Sequence, residues 1–198
     1  ASLSGIDSLS FVTGLGLQST MASYRTNENT SNLSNTSVNH LSFAFPITHW
    51  WKSSIALIPY SNIGYEVQKD KLLSFDVLSR EIYTGSGGVD KVTFGNSIRL
   101  AKNFSVGLSS SYYFGRVQHR QSVVFPDSAY IDNARLQERN LISGLSFIIG
   151  AQYFVKTGEN SFLGLAATYT PAATLKAKSD YLATSFLGDL IGTESAID

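Results

Sequence analysis

Cysteine is absent from this 198-residue chain, which excludes disulfide bonds, thiolate nucleophiles and cysteine metal sites. An excess of charge is missing too, because 15 basic and 15 acidic residues cancel and no block of one sign occurs. The sequence therefore offers no electrostatic footprint for nucleic acid and no polybasic patch for a membrane surface. No apolar run reaches the roughly 18–20 residues that a membrane-spanning helix needs.

Aromatic residues, by contrast, are plentiful, and the 12 Phe and 10 Tyr favour β-strands. The stretch 104–115 reads FSVGLSSSYYFG, in which large apolar residues alternate with mostly small ones. Because successive side chains of a strand point to opposite faces, this pattern predicts one apolar face and one face of small residues. Such alternation predicts seven strands, at about 8–25, 38–47, 53–68, 89–100, 104–125, 136–154 and 162–176.

The predicted connections alternate between long and short. Long polar loops are expected at 25–35, 69–88, 122–135 and after residue 176, and short turns are expected near residues 50, 102 and 158. Long loops at one end of the strands and tight turns at the other are typical of a transmembrane β-barrel. The sequence therefore predicts an all-β, antiparallel transmembrane β-barrel in the outer membrane of a Gram-negative bacterium.

A soluble β-sandwich or lipocalin-like barrel is the alternative, and it predicts a charged outer face. Here the face opposite the apolar residues carries Gly, Ser, Thr, Ala and Gln instead. The predicted strands also exceed the usual soluble length of about 5–6 residues. Aromatic residues near strand ends suggest the girdles that mark a membrane interface; these are Trp50, Trp51, Tyr112 and Tyr153. The apolar face is therefore expected to meet lipid.

The odd number of strands conflicts with the even number of bacterial single-chain outer-membrane barrels. An open sheet edge is also costly in hydrocarbon, because each unpaired N–H or C=O group costs several kcal/mol. We therefore expect residues 1–198 to form one part of a larger barrel.

Several segments resemble the outer-membrane porin family for hydrophobic compounds, which includes the fatty-acid transporter FadL and the toluene transporters. They are SLSFVTG, IALIPYSNIGYEV, GSGGVDKVTFGNSIRLAKNFSVGLSSSYYFG and LGLAATYTP. The resemblance implies a 14-stranded barrel with an N-terminal hatch, of which this chain is the N-terminal half without the hatch. It also implies passive uptake of small hydrophobic compounds. The alternative is a non-transporting scaffold barrel within an outer-membrane complex for secretion or barrel assembly.

The third predicted strand contains the segment Pro59, Tyr60, Asn62 and Gly64. Proline gives no N–H to a β-ladder, so inside a strand it marks an edge or a bulge. The resemblance implies that such a kink opens the wall sideways and lets a hydrophobic ligand pass. A purely structural bulge is the alternative interpretation.

The face of small residues is expected to line a lumen. Space there would admit a plug or a ligand close to the wall, and Arg99 would either contribute to an ion-selective ring or pair with carboxylates of a hatch. The predicted lumen-facing residues are Gly14, Gly16, Gln18, Arg99, Gly107, Gly144, Gly150 and Gln152.

No residue pattern indicates catalysis. The three histidines, His40, His49 and His119, lack metal-ligand spacing, and no Gly-x-Ser-x-Gly elbow occurs. Residues 85–88 (GSGG) precede a strand and lack the Lys-Ser/Thr of a phosphate loop, so they are expected to form a turn or loop near the membrane surface. We therefore expect no enzyme activity, cofactor or metal. The expected partners are the lipid bilayer, a hydrophobic small molecule and an outer-membrane complex, but no nucleic acid.

Overall fold

A computed structural model describes residue 3 and residues 10–25, 30–73, 77–126, 131–158 and 161–186. Eight strands account for nearly all of these residues. They are β1 (Val12–Arg25), β2 (Thr30–Pro46), β3 (Trp51–Leu72), β4 (Leu78–Ala101), β5 (Phe104–Val124), β6 (Asn133–Lys156), β7 (Phe162–Tyr169) and β8 (Lys176–Phe186). Among the described residues, no helix has the length and apolarity needed to cross a membrane.

The strands form one sheet in which β1 to β7 follow each other in chain order. Antiparallel registers place Phe43 opposite Ile55 between β2 and β3, and Tyr153 opposite Leu165 between β6 and β7. Strand β8 leaves this order and pairs with β6. The predicted all-β antiparallel class is confirmed, and the meander order is that of an up-and-down β-barrel.

Two of the long loops predicted from the sequence are largely strand. Strand β2 begins at Thr30, β3 continues to Leu72 and β4 starts at Leu78, so most of 25–35 and 69–88 is strand. The GSGG segment at 85–88 lies inside β4, so its prediction as a turn or loop was wrong. The aliphatic residues of these extensions, Leu33, Leu72, Leu78 and Ile82, are too widely spaced to produce an alternating pattern.

The last strand was predicted at 162–176, and its predicted end is wrong. Strand β7 stops at Tyr169, shortly before Pro171, which has no N–H for the ladder. Strand β8 then forms where a loop was predicted.

Burial in this sheet is inverted relative to a soluble domain. Ser53 and Ser97 are the most buried side chains, at 0% and 1% exposed, whereas Met21 is 82% and Leu17 is 69% exposed. A soluble fold hides its large apolar side chains. This protein has the opposite distribution, which is the pattern expected when lipid is the solvent of the apolar face.

The chain divides into two compact units. The first unit contains Ala1–Tyr60, Asp90–Phe114 and Ser143–Lys176. The second contains Ser61–Val89, Gly115–Ile142 and Ala177–Asp198.

Candidate functional site

The first unit presents large apolar side chains on alternate strand positions, which we call the apolar face. Its exposed members include Leu15, Leu41, Phe43, Ile55, Leu57, Phe94, Leu108, Phe114 and Phe147. Along β5 it runs from Phe104 to Phe114, a stretch of about 34 Å. At a strand tilt of roughly 40° this projects to about 25 Å, which is the height of the apolar band of an outer-membrane barrel.

The apolar face is not smooth between β1 and β3. Thr13 lies opposite Phe43 and is smaller than its neighbours, and an apolar hollow of about 330 Å³ opens beside it. Leu41, Ile55 and Leu57 line the same hollow.

Of the four aromatic residues predicted at the membrane interface, three lie at or near a strand end and one lies well inside a strand. Trp50 lies in the β2–β3 turn, stacked 6.2 Å from Trp51, and Tyr153 lies near the end of β6. Tyr112 lies well inside β5, 6.1 Å from the ring of Phe114. Since consecutive strands are antiparallel, the β2–β3 and β6–β7 connections share one edge of the sheet. Trp50, Trp51 and Tyr153 are therefore at the end with the short turns.

A polar anchor fixes Trp51 at that end. Its Nε1 donates to Asn96 Oδ1 at 3.0 Å, and Ser53 Oγ donates to the same oxygen at 2.7 Å. Ser53 is fully buried, so Asn96 satisfies the hydroxyl of a side chain that has no access to solvent.

The other face of the first unit carries small residues, and we call it the small-residue face. It holds a cavity of about 400 Å³ to which β3, β4, β5, β6 and β7 contribute. Three predicted lumen residues, Gly107, Gly150 and Gln152, line this cavity together. Leu3 also lines it, and its Cδ1 would be 3.6 Å from a Cβ added at Gly95.

The remaining predicted lumen residues lie elsewhere. A Cβ at Gly16 would meet the His40 ring, and Gln18 Oε1 accepts a hydrogen bond from Asn39 Nδ2 at 3.3 Å. Gly14 likewise faces Ser42 and His40, Gly144 lies against Leu175, and the backbone N–H of Arg99 donates to Trp50 O at 2.8 Å.

The first unit contains a cation–aromatic cluster that no sequence pattern predicted. Lys91 Nζ lies 5.6 Å from the ring centre of Tyr60 and 5.9 Å from that of Tyr113. The two tyrosine rings meet edge to face at 5.0 Å. Such contacts stabilise a lysine by electrostatic attraction to the ring faces. The cluster depends on the mutual register of β3, β4 and β5, which no single-strand pattern contains.

The predicted kink in β3 coincides with a break in its alternation. Tyr60 contacts Tyr113, whereas Tyr65 contacts His119 at 3.2 Å. Tyr113 and His119 are six positions apart on β5, and so share a face, but Tyr60 and Tyr65 are five apart on β3. Strand β3 must therefore hold one extra residue between them. This is the signature of a β-bulge.

The spacing of the contacting residues on β4 also indicates that the extra residue lies in β3. Lys91, which contacts Tyr60, and Gly85, whose Cβ would meet the Tyr65 ring, are also an even number of positions apart. The prediction that this segment passes a ligand is untested, and the comparisons below remove the family likeness on which it rested.

Glycines allow an unusually close backbone approach in the second unit. Gly87 has φ +105°, and a Cβ there would meet the carbonyl oxygen of Arg116. A Cβ at Gly88 would meet Ser61 O, and one at Gly115 would meet Gly88 O. Only glycine fits this meeting of β3, β4 and β5 without displacing backbone.

The second unit contains two polar pairs, one between β3 and β4 and one within β4. Arg80 donates to both carboxylate oxygens of Asp70, at 2.8 and 3.1 Å, and this hydrogen bonding lowers the pKa of Asp70. The hydrogen bond that the Tyr83 hydroxyl donates to Glu81 at 3.1 Å raises the pKa of Tyr83. The Arg80–Asp70 pair is exposed, so it orders the ends of β3 and β4 more than it stabilises the fold.

The chain matches the model of the BamG family of the barrel-assembly machinery over residues 1–198. This match overturns the resemblance to the hydrophobic-compound porins, and passive uptake of hydrophobic compounds falls with it. The motifs behind that resemblance are diffuse and reflect alternation that barrels share. The family implies an outer-membrane-associated location and association with an outer-membrane protein complex. Searches of curated proteins and of solved structures returned no match.

Proposed function

Since the chain belongs to the BamG family, we propose that its β-sheet forms the barrel wall of an outer-membrane subunit of a barrel-assembly machinery. Its role is structural: it gives the machinery a membrane-embedded neighbour and does not conduct a solute. The observation that carries this proposal is the family match across residues 1–198. This proposal agrees with the alternative predicted from the sequence, which is a non-transporting scaffold barrel within an outer-membrane complex for secretion or barrel assembly.

The apolar face supports a place within the bilayer. Its side chains are 37–67% exposed at Leu15, Leu108 and Phe114, an exposure that water would penalise. Leu3, lying against the small-residue face, supports a wall that is covered on its other side.

We also propose that the protein acts without catalysis. Two of its histidines have packing partners, since His119 pairs with Tyr65 and His40 lies beside Gly14 and Gly16. Among the described residues, no group of three or more potential metal ligands comes together.

Affinity purification tests the proposal. The tagged native protein is extracted from outer membranes in mild detergent, and its co-purifying proteins are quantified by mass spectrometry. We expect stoichiometric subunits of the assembly machinery, and we expect depletion of this protein to lower the amount of folded barrels in the outer membrane. A protein that purifies alone, and whose depletion leaves barrel levels unchanged, contradicts the proposal.

Photo-crosslinking then maps the contact. A photoreactive amino acid is placed at Leu17, Leu57, Phe94, Phe147 or Leu165, which sample the exposed apolar positions of five strands. A docked subunit should yield cross-links at adjacent strands only, while the other positions label lipid. Ser109, on the small-residue face, is the matched control and should not reach a partner through the bilayer.

A further inference from the structure

One position on the apolar face of β1 is small where its neighbours are large. Phe11 and Leu15 come two residues before and two residues after Thr13, so the three side chains share one face. Thr13 pairs with Phe43 of β2, and the apolar hollow of about 330 Å³ lies beside this pair. The hollow therefore exists because a short side chain interrupts a row of long ones.

The apolar hollow is a groove that crosses four neighbouring strands of the first unit. Thr13 lines it from β1, Phe43 from β2, Leu57 from β3 and Val92 from β4. Neighbouring strands are about 4.8 Å apart, so the groove is about 14 Å long. Its lining is almost wholly apolar. Water finds few hydrogen-bond partners on such a surface, and apolar cavities stay dry.

The apolar hollow lies at the depth of acyl chains. Ile55, which lines it, comes four residues after Trp51, at the short-turn end of β3. Four residues of strand extend about 13 Å, which projects to about 10 Å along the membrane normal at a tilt of about 40°. Tryptophans at the ends of membrane strands mark the level of the head groups. The hollow therefore lies inside the hydrocarbon of the leaflet at the short-turn end.

We propose that the apolar hollow binds one acyl chain of a phospholipid in that leaflet. The reason to choose a lipid is continuity, because the hollow interrupts the apolar face, whose exposure is that of a lipid-facing surface. An unfilled hollow would forfeit dispersion contacts along its whole lining, and an acyl chain restores them. The chain is held by side chains of four strands, so it exchanges more slowly than chains on the smooth part of the face. This site depends on the membrane placement in the proposed function but requires no role in barrel assembly.

Photolabelling in phospholipid vesicles tests this site. The native protein is reconstituted with a trace of phosphatidylethanolamine that carries a diazirine midway along one acyl chain, and labelled residues are mapped by mass spectrometry. Labelling at Leu57 in the hollow is divided by labelling at Phe147, an exposed residue of the same face outside the hollow. Phe147 is six residues from Tyr153, just as Leu57 is six residues from Trp51, so the two positions lie at similar depths.

Two variants at one position separate the hollow from its surroundings. Thr13→Phe fills the hollow, and Thr13→Ala leaves it open. Heat-modifiable gel migration establishes that both variants are folded. We expect the labelling ratio of the native protein to be at least about fivefold higher than that of Thr13→Phe, because the filled hollow offers no additional contacts to a chain. Thr13→Ala should give a ratio at least as high as the native one.

The outcomes distinguish this site from the proposed function. An equal labelling ratio in the native protein and in Thr13→Phe overturns the proposal while the membrane placement stands. Absence of lipid labels from Phe147 as well as from Leu57 contradicts the membrane placement itself. The same labelling is repeated on the purified assembly. If a co-purifying subunit shields Leu57 from lipid and leaves Phe147 labelled, the hollow docks a protein and the proposal is wrong.

Discussion

At the scale of single residues, the side chain that ties the short-turn end together is Asn96. One amide oxygen accepts from both Trp51 Nε1 and Ser53 Oγ. Replacing Asn96 with alanine leaves two donors unpaired beside a bilayer, and each such loss costs about 1–3 kcal/mol. We expect Asn96→Ala to lower the free energy of unfolding by at least about 2 kcal/mol.

Urea unfolding of the protein in lipid vesicles measures this effect, and fluorescence of the two tryptophans reports it locally. Asn39→Ala is the matched control, because Asn39 is exposed and its 3.3 Å hydrogen bond to Gln18 spans two exposed side chains. The control should change stability by less than about 0.5 kcal/mol. Equal losses in the free energy of unfolding for the two variants would show that the shared Asn96 acceptor does not stabilise the fold more than an exposed hydrogen bond does.

A second prediction compares Gly87, where β3, β4 and β5 approach closely, with Gly64 on β3. Gly87 has a positive φ and no room for a Cβ, whereas a Cβ at Gly64 would have no atom within 4 Å. Gly87→Ala should destabilise by at least about 1–3 kcal/mol through backbone strain. Gly64→Ala should be neutral or mildly stabilising, because alanine restricts the unfolded chain. The same unfolding assay compares them, and a Gly87→Ala protein as stable as Gly64→Ala contradicts the close approach.

At the scale of elements, alternation predicted the strands only where it was visible. Leu108 and Phe114 mark the apolar face of β5 in the sequence, whereas residues 30–35 and 69–72 show no apolar alternation and were predicted as loops. A kink in β3 could be predicted from Pro59, which is a local signal, and it stays a prediction. The Lys91 cluster could not be predicted, because it needs the registers of three strands.

The bulge in β3 leads to a prediction about faces. Deleting Asn62 removes the extra residue, so Tyr60 and Tyr65 become four positions apart and strict alternation keeps Tyr65 on the face of Tyr60. The chain has no cysteine, so paired cysteines and a short bis-maleimide give a clean test by mass spectrometry.

Tyr65→Cys with His119→Cys should cross-link both in the native background and after the deletion. Tyr60→Cys with Tyr113→Cys precedes the bulge on β3 and should also cross-link in both backgrounds. If the Tyr65 pair no longer joins after the deletion, the extra residue is not in this segment.

At the scale of the whole molecule, the decisive feature is that the sheet ends in edge strands. Strand β1 has β2 as its one neighbour among the described strands, and its side chains Leu15, Leu17 and Met21 are highly exposed. This apolar edge suits lipid, but hydrocarbon offers no partner to its outward N–H and C=O groups. Sequence alternation predicted the apolar face, yet it contains no information on what pairs with the edge, because pairing depends on a second strand.

We therefore expect the edge of β1 to be paired in the native membrane. Hydrogen exchange should show the amides of 12–20 as protected as those of the central strand β5, since an open edge would cost several kcal/mol per unpaired group. Comparing the isolated subunit with the purified assembly locates the partner strand. Protection in both samples means that the subunit closes its own barrel, and protection in the assembly alone means that the machinery supplies the strand. Rapid exchange in both would show that β1 does not lie in hydrocarbon, and the membrane placement of the apolar face would then be wrong.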